Sequence, residues 1–108
     1  MNCLGCSKKL QRIEVSEEPW GRGWILEDVW LEKKDRYEDW EPHVQAIKNE
    51  EGDLALRFCY WKRNPDGSRG GFVNSAMFVY DWTIEDLREE AKKQKADTIL
   101  MLFKKLTE

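Results

Sequence analysis

One histidine, His43, stands in 108 residues, and no phosphate-cradling glycine loop or dinucleotide fingerprint accompanies it. Nucleotide-driven and histidine-rich catalytic chemistries therefore have no visible anchor. No apolar run approaches the roughly 20 residues that a bilayer span requires, so no membrane partner is expected. The first residues show no hydrophobic targeting stretch. Leu4-Gly5-Cys6 has the local look of a lipidation box, but without a leader before it. Three cysteines, an odd number, and no export signal point to reduced thiols in a cytoplasm.

Charge of one sign is also missing. The net charge is −3, yet its distribution is uneven. Residues 1–13 carry +3, residues 14–53 carry −8, residues 54–79 carry +3 and residues 80–108 carry −1. A nucleic-acid binder usually shows a dominant basic face. Here one arises only where the two +3 segments come together. The plainer alternative is the mixed, solvated surface of an ordinary domain.

What is present is a chain that is 41% hydrophobic and 36% charged, with six tryptophans. That composition excludes disorder and suits one small globular domain spanning 1–108, with 1–11 as a flexible N-terminus. Arg12 to Val15 alternates as a short strand. Ser16 to Gly23, with Pro19, Gly21 and Gly23, reads as a loop. Residues 24–31 are ambiguous between strand and helix, and their β-branched and aromatic content favours strand. Pro42 restricts Glu41 to extended backbone, so a strand is expected to begin at His43.

Residues 43–62 give the clearest local pattern. Two alternating segments, 43–48 and 54–61, flank Asn49-Glu50-Glu51-Gly52-Asp53, the signature of a β-hairpin. Leu54, Leu56, Phe58 and Tyr60 share one face, and their partners on the first strand are Val44 and Ala46. Directly opposed residues lie on the same face, so a three-residue loop from Glu50 to Gly52 pairs Val44 with Phe58 and Ala46 with Leu56. The same register sets His43 opposite Cys59. A loop over 63–71 with a Pro-Asp-Gly turn leads to a third strand over 72–80. Thr83 is the expected helix cap, and Ile84, Leu87 and Ala91 form an apolar stripe. Asp97 or Thr98 restarts a helix after a bend, and Ile99, Leu100, Phe103 and Leu106 extend the stripe. The expected fold is α+β: an antiparallel sheet of four to five strands packed against a C-terminal helix.

Three sets of residues carry candidate chemistry. Cys3-Leu4-Gly5-Cys6 brings two thiolates to one soft ion, and zinc needs four ligands. Cys3, Cys6, His43 and Cys59 complete such a set within the chain. Cys-x-x-Cys-x-Lys-Lys-Leu resembles the first knuckle of a zinc ribbon over about eight residues. A lone pair shared across a dimer, as in zinc-hook proteins, and a redox dithiol are alternatives. The plainer one is a frayed terminus with Cys59 as a strand residue.

Arg57, Lys62, Arg63 and Arg69, beside Trp61 and Phe72, combine cations with rings and suit an anion or single-stranded nucleic acid. Cations at strand edges also guard against aggregation. Trp20, Trp24, Trp30 and Trp40 lie in the acidic segment and suit a protein interface, or else an outer layer of core. Carboxylates at Glu27, Asp28, Glu38, Asp39 and Glu41 follow no catalytic spacing, and a His43–Cys59 pair lacks an orienting group. The reading is a non-catalytic binding module that takes a protein partner or a second copy of itself. A zinc-stabilised or single-strand-binding domain is the alternative, and zinc is the one cofactor considered.

Overall fold

The computed structural model describes residues 11–15, 21–32, 37–73 and 79–106. Five antiparallel strands form one meander in the order β1-β2-β3-β4-β5: β1 Gln11–Val15, β2 Gly21–Trp30, β3 Trp40–Asn49, β4 Leu54–Arg63 and β5 Arg69–Val73. Two helices follow, α1 Asp81–Lys93 and α2 Asp97–Leu106. The α+β fold expected from the sequence is the one observed.

The central hairpin has the register that matching the apolar faces requires. Val44 pairs with Phe58, Ala46 with Leu56 and His43 with Cys59. Asn49 gives its N–H to the Asp53 carbonyl at 3.1 Å, which closes a loop of Glu50, Glu51 and Gly52. Gly52 has φ of +90°, a left-handed value that costs glycine little.

Several boundaries differ from expectation. β2 starts at Gly21, so Gly21 to Gly23 are strand and not loop. A Cβ at Gly23 would collide with the Lys48 carbonyl, so this glycine serves the close approach of β2 to β3. β3 starts at Trp40 rather than His43. Pro42 is tolerated in it because its carbonyl still accepts the Leu31 N–H at 3.1 Å, and the Leu31 carbonyl that a proline cannot reach accepts from Arg63 Nη2 at 3.0 Å instead. β4 runs through Arg63, and Arg69 to Gly71 belong to β5, which shortens the expected loop to a turn over 64–68. Residues 74–78 of the expected third strand lie outside the described residues, and Tyr80 caps α1 instead of ending a strand. Thr83 is not the cap. It sits inside the first turn, buried, with a hydroxyl that has no hydrogen-bond partner among the described residues.

The helical layer is two helices. The chain breaks at Gln94 to Ala96, where Lys95 takes φ of +55°. Leu87, Ala91, Ile99 and Phe103 pack with Val29, Val44 and Ala46 in a single core. Leu106, expected on that stripe, is the last residue of α2 and is 69% exposed. No helix of the described residues is long and apolar enough to cross a membrane.

A bulge in β2 decides which side chains face the helices. Ile25 pairs with Ile47, but Glu27 pairs with Ala46, so Leu26 is an extra residue. Ile25 therefore joins Ile47 and Ala55 in a small cluster away from the main core. Glu27 and Val29 turn toward the helices, and Asp28 and Trp30 turn away from them.

Candidate functional site

The helices cover one face of the sheet, and the candidate site is the other. Three rows of cross-strand neighbours build it. Asp28, Gln45 and Arg57 form the first, and Trp30, His43 and Cys59 the second. Glu41, Trp61 and Phe72 form the third. Each row follows from antiparallel pairing, in which directly opposed residues share a face.

His43 lies at the centre. Its Nδ1 is 2.8 Å from Asp28 Oδ1, and its Nε2 is 2.7 Å from Glu41 Oε1. A carboxylate only accepts, so both contacts are hydrogen bonds only when the ring carries a proton on each nitrogen. Glu41 Oε1 also accepts from Arg69, from Nε at 3.0 Å and from Nη2 at 2.6 Å. Arg63 Nη1 lies 3.7 Å from Glu41 Oε2. Burial alone pushes the Glu41 carboxyl up. The hydrogen bonds from His43 and Arg69 outweigh it and hold the group below its ordinary range.

Rings and guanidiniums layer over this network. Trp30 stacks on the His43 ring at 5.5 Å between centroids. Arg69 lies over both Trp30, at 5.8 Å, and Trp61, at 5.2 Å. Trp61 meets Phe72 at 5.1 Å, and Arg57 lies over Phe72 at 5.7 Å. Arg57 also donates from Nε to Gln45 Oε1 at 2.8 Å. At the rim, the Trp30 indole donates to Glu32 at 3.2 Å. Glu41 and His43 lie beneath, while Arg69 and Phe72 reach solvent, 46% (side chain) and 40% exposed.

Of the residues singled out from the sequence, His43 and Cys59 are brought opposite each other. Cys59 is fully buried, and desolvation pushes its thiol up to about 12. Both ring nitrogens of His43 are on carboxylates. Cys3, Cys6 and Trp20 lie outside the described residues. Among the described residues no group of three or more His, Cys, Asp or Glu could hold a metal ion.

The four cations do not form one patch. Arg57 and Arg69 share the open face. Lys62 is exposed and pairs with Trp40 in the alternate set of positions, which faces the helices. Arg63 is spent on the backbone, donating to the carbonyls of Leu31 at 3.0 Å, Tyr37 at 3.0 Å and Trp40 at 3.2 Å. The tryptophans are also separated. Trp30 is on the open face, whereas Trp40 packs edge-on against Tyr37 and Tyr60 beside the main core. Trp24 pairs with Lys48 near the far end of β2.

The roles of Glu41 and Gln45 had one sequence signal, whereas that of Asp28, set by the bulge in β2, had none. Glu41, His43 and Gln45 are polar at every second position of a strand whose alternate residues, Val44 and Ala46, are apolar.

Comparison with protein-family models, with curated proteins and with solved structures gives no match for this chain.

Proposed function

We propose that the chain is a non-catalytic binding module whose working surface is the helix-free face of the sheet. One observation carries this reading: the unbroken run Arg57, Phe72, Trp61, Arg69, Trp30, in which rings and guanidiniums interleave across β2, β4 and β5. Aromatic side chains and arginine are the residues that dominate binding hot spots. The buried ion network beneath fixes Arg69 and Trp30 in place, so little side-chain freedom is lost when a partner docks.

Burial of the reactive groups supports the non-catalytic part. A nucleophile needs access and a thiolate, and Cys59 has neither. His43 has no ring nitrogen turned to a substrate. The cleft of about 420 Å³ lined by Glu38, Asp39, Arg63 and Asn64 has its one guanidinium committed to backbone carbonyls.

The test is a photoreactive phenylalanine analogue placed at Phe72 or, separately, at Leu106, followed by irradiation in cells. Adducts from position 72 and not from position 106 are expected. Adducts from position 106 alone, or from neither, would overturn the assignment of the face.

A further inference from the structure

Resting on the reading that the helix-free face is the working surface, we infer that its occupant is a single-stranded nucleic acid, with bases stacked on Phe72 and Trp61 and phosphates held by Arg57 and Arg69.

The layering of charge favours this occupant over a protein strand. The carboxylates beneath the arginines lie low, with Glu41 and Asp28 side chains 6% and 23% exposed, while the Arg69 side chain above them is 46% exposed and the exposed Glu32 carboxylate stands at the rim beside Trp30. Asp28 and Glu41 balance Arg57 and Arg69 in formal charge, before any proton on His43, and Arg63 lies beneath with its side chain 5% exposed. Because these carboxylates lie beneath the arginines, the layer over Trp61 and Phe72 is cationic, although the whole chain carries −3.

The guanidiniums also have donors to spare. Each has five N–H groups in a planar fork. Arg69 spends Nε and Nη2 on Glu41. Arg57 spends Nε on Gln45 and lies against the Cys59 thiol. The remaining donors of both have no hydrogen-bond partner among the described residues. Planar forks with open donors match phosphate oxygens.

The rings complete the match. Every base has a π-face, and aromatic rings and arginine planes both accept it by stacking. Phe72 on β5 and Trp61 on β4 are cross-strand partners whose ring centroids lie 5.1 Å apart. A duplex hides its base faces, so the platform selects unpaired strands. Arg63, named with the other cations from the sequence, takes no part, because its side chain is only 5% exposed and donates to backbone carbonyls inside the fold.

The experiment is fluorescence anisotropy of the full chain with labelled poly-dT and poly-U of about 12 nucleotides, at roughly 50 and 200 mM salt. Binding that weakens with salt is expected. Phe72→Leu should weaken it about tenfold, within the range for one stacked base. Arg57→Gln should reduce the salt slope by about 0.7, the loss of one single-strand phosphate contact. Trp61→Leu tests the second ring. That ring is half-buried in the sheet, so the variant's thermal melting is compared with the parent. Phe72, at the solvent surface, gives the readout that does not depend on folding. Tyr80→Ala, an exposed ring at the start of α1, should leave binding unchanged. No binding at low salt, equal competition by duplex, or equal loss with Tyr80→Ala would overturn the inference. Protein adducts at position 72 without oligonucleotide binding would overturn the nucleic-acid occupant and leave the binding face standing.

Discussion

The Glu27 carboxylate accepts the Ile99 backbone N–H at 2.7 Å, across 72 residues of sequence. Its other oxygen accepts the Thr98 N–H at 3.1 Å. A buried side chain of the sheet thus caps α2, supplying the negative charge that a helix N-terminus favours. Glu27→Ala should cost about 2 kcal/mol, the sum of a lost cap and amides left without acceptors. Glu27→Gln, which keeps one acceptor, should cost less. Urea denaturation measures both, and amide exchange should speed at Thr98 and Ile99 first. A change in stability under about 0.5 kcal/mol would contradict the capping role.

Arg63 ties the strand end to the segment before β3, through three carbonyls on Leu31, Tyr37 and Trp40. Lysine cannot reproduce the fork. Arg63→Lys should therefore destabilise by about 3 kcal/mol, the scale of buried hydrogen bonds to a charged donor. The midpoint of chemical unfolding reports it.

Glu41 sets an acid limit. Its folded pKa lies below the ordinary 4.5, so its contribution is fully present above that value and is lost as pH falls through the folded value. Asp66, held low by its bonds to Ser68, acts with the same sign. Stability followed from pH 7 downward should fall less steeply below about pH 4.5 in Glu41→Gln than in the parent. Parallel curves would show that Glu41 does not drive the acid transition.

Cys59 should be inert. A thiol pushed from 9.0 to about 12 holds about a thousandfold less thiolate at neutral pH. In a Cys3→Ser, Cys6→Ser background, iodoacetamide should label Cys59 only at the rate of unfolding. The zinc content of the parent chain should be unchanged by Cys59→Ala. Rapid labelling under native conditions, or loss of metal in that variant, would reverse the assignment.

The elements legible in the sequence are those whose information is local. Alternation over 43–48 and 54–61 fixes the hairpin register, because side-chain period two admits only even-with-even pairing. The spacing of Leu87, Ala91, Ile99 and Phe103 marks the helix faces for the same kind of reason. Strand ends were less legible, since Arg69 to Gly71 carry turn-like glycines yet pair with β4.

The amino-acid sequence by itself determined the antiparallel meander, the helices and the opposition of His43 to Cys59. Only the tertiary structure decided what His43 does. The bulge at Leu26 turns Asp28 toward it, and Arg69, 28 residues from Glu41, closes the other side. Neither partner is within the reach of a local pattern. The same holds for Arg63, which looks from sequence like a surface cation and is drawn inward by three carbonyls that only the folded chain gathers. Local periodicity says which face a side chain takes; the ion network depends on which distant charges that face then meets.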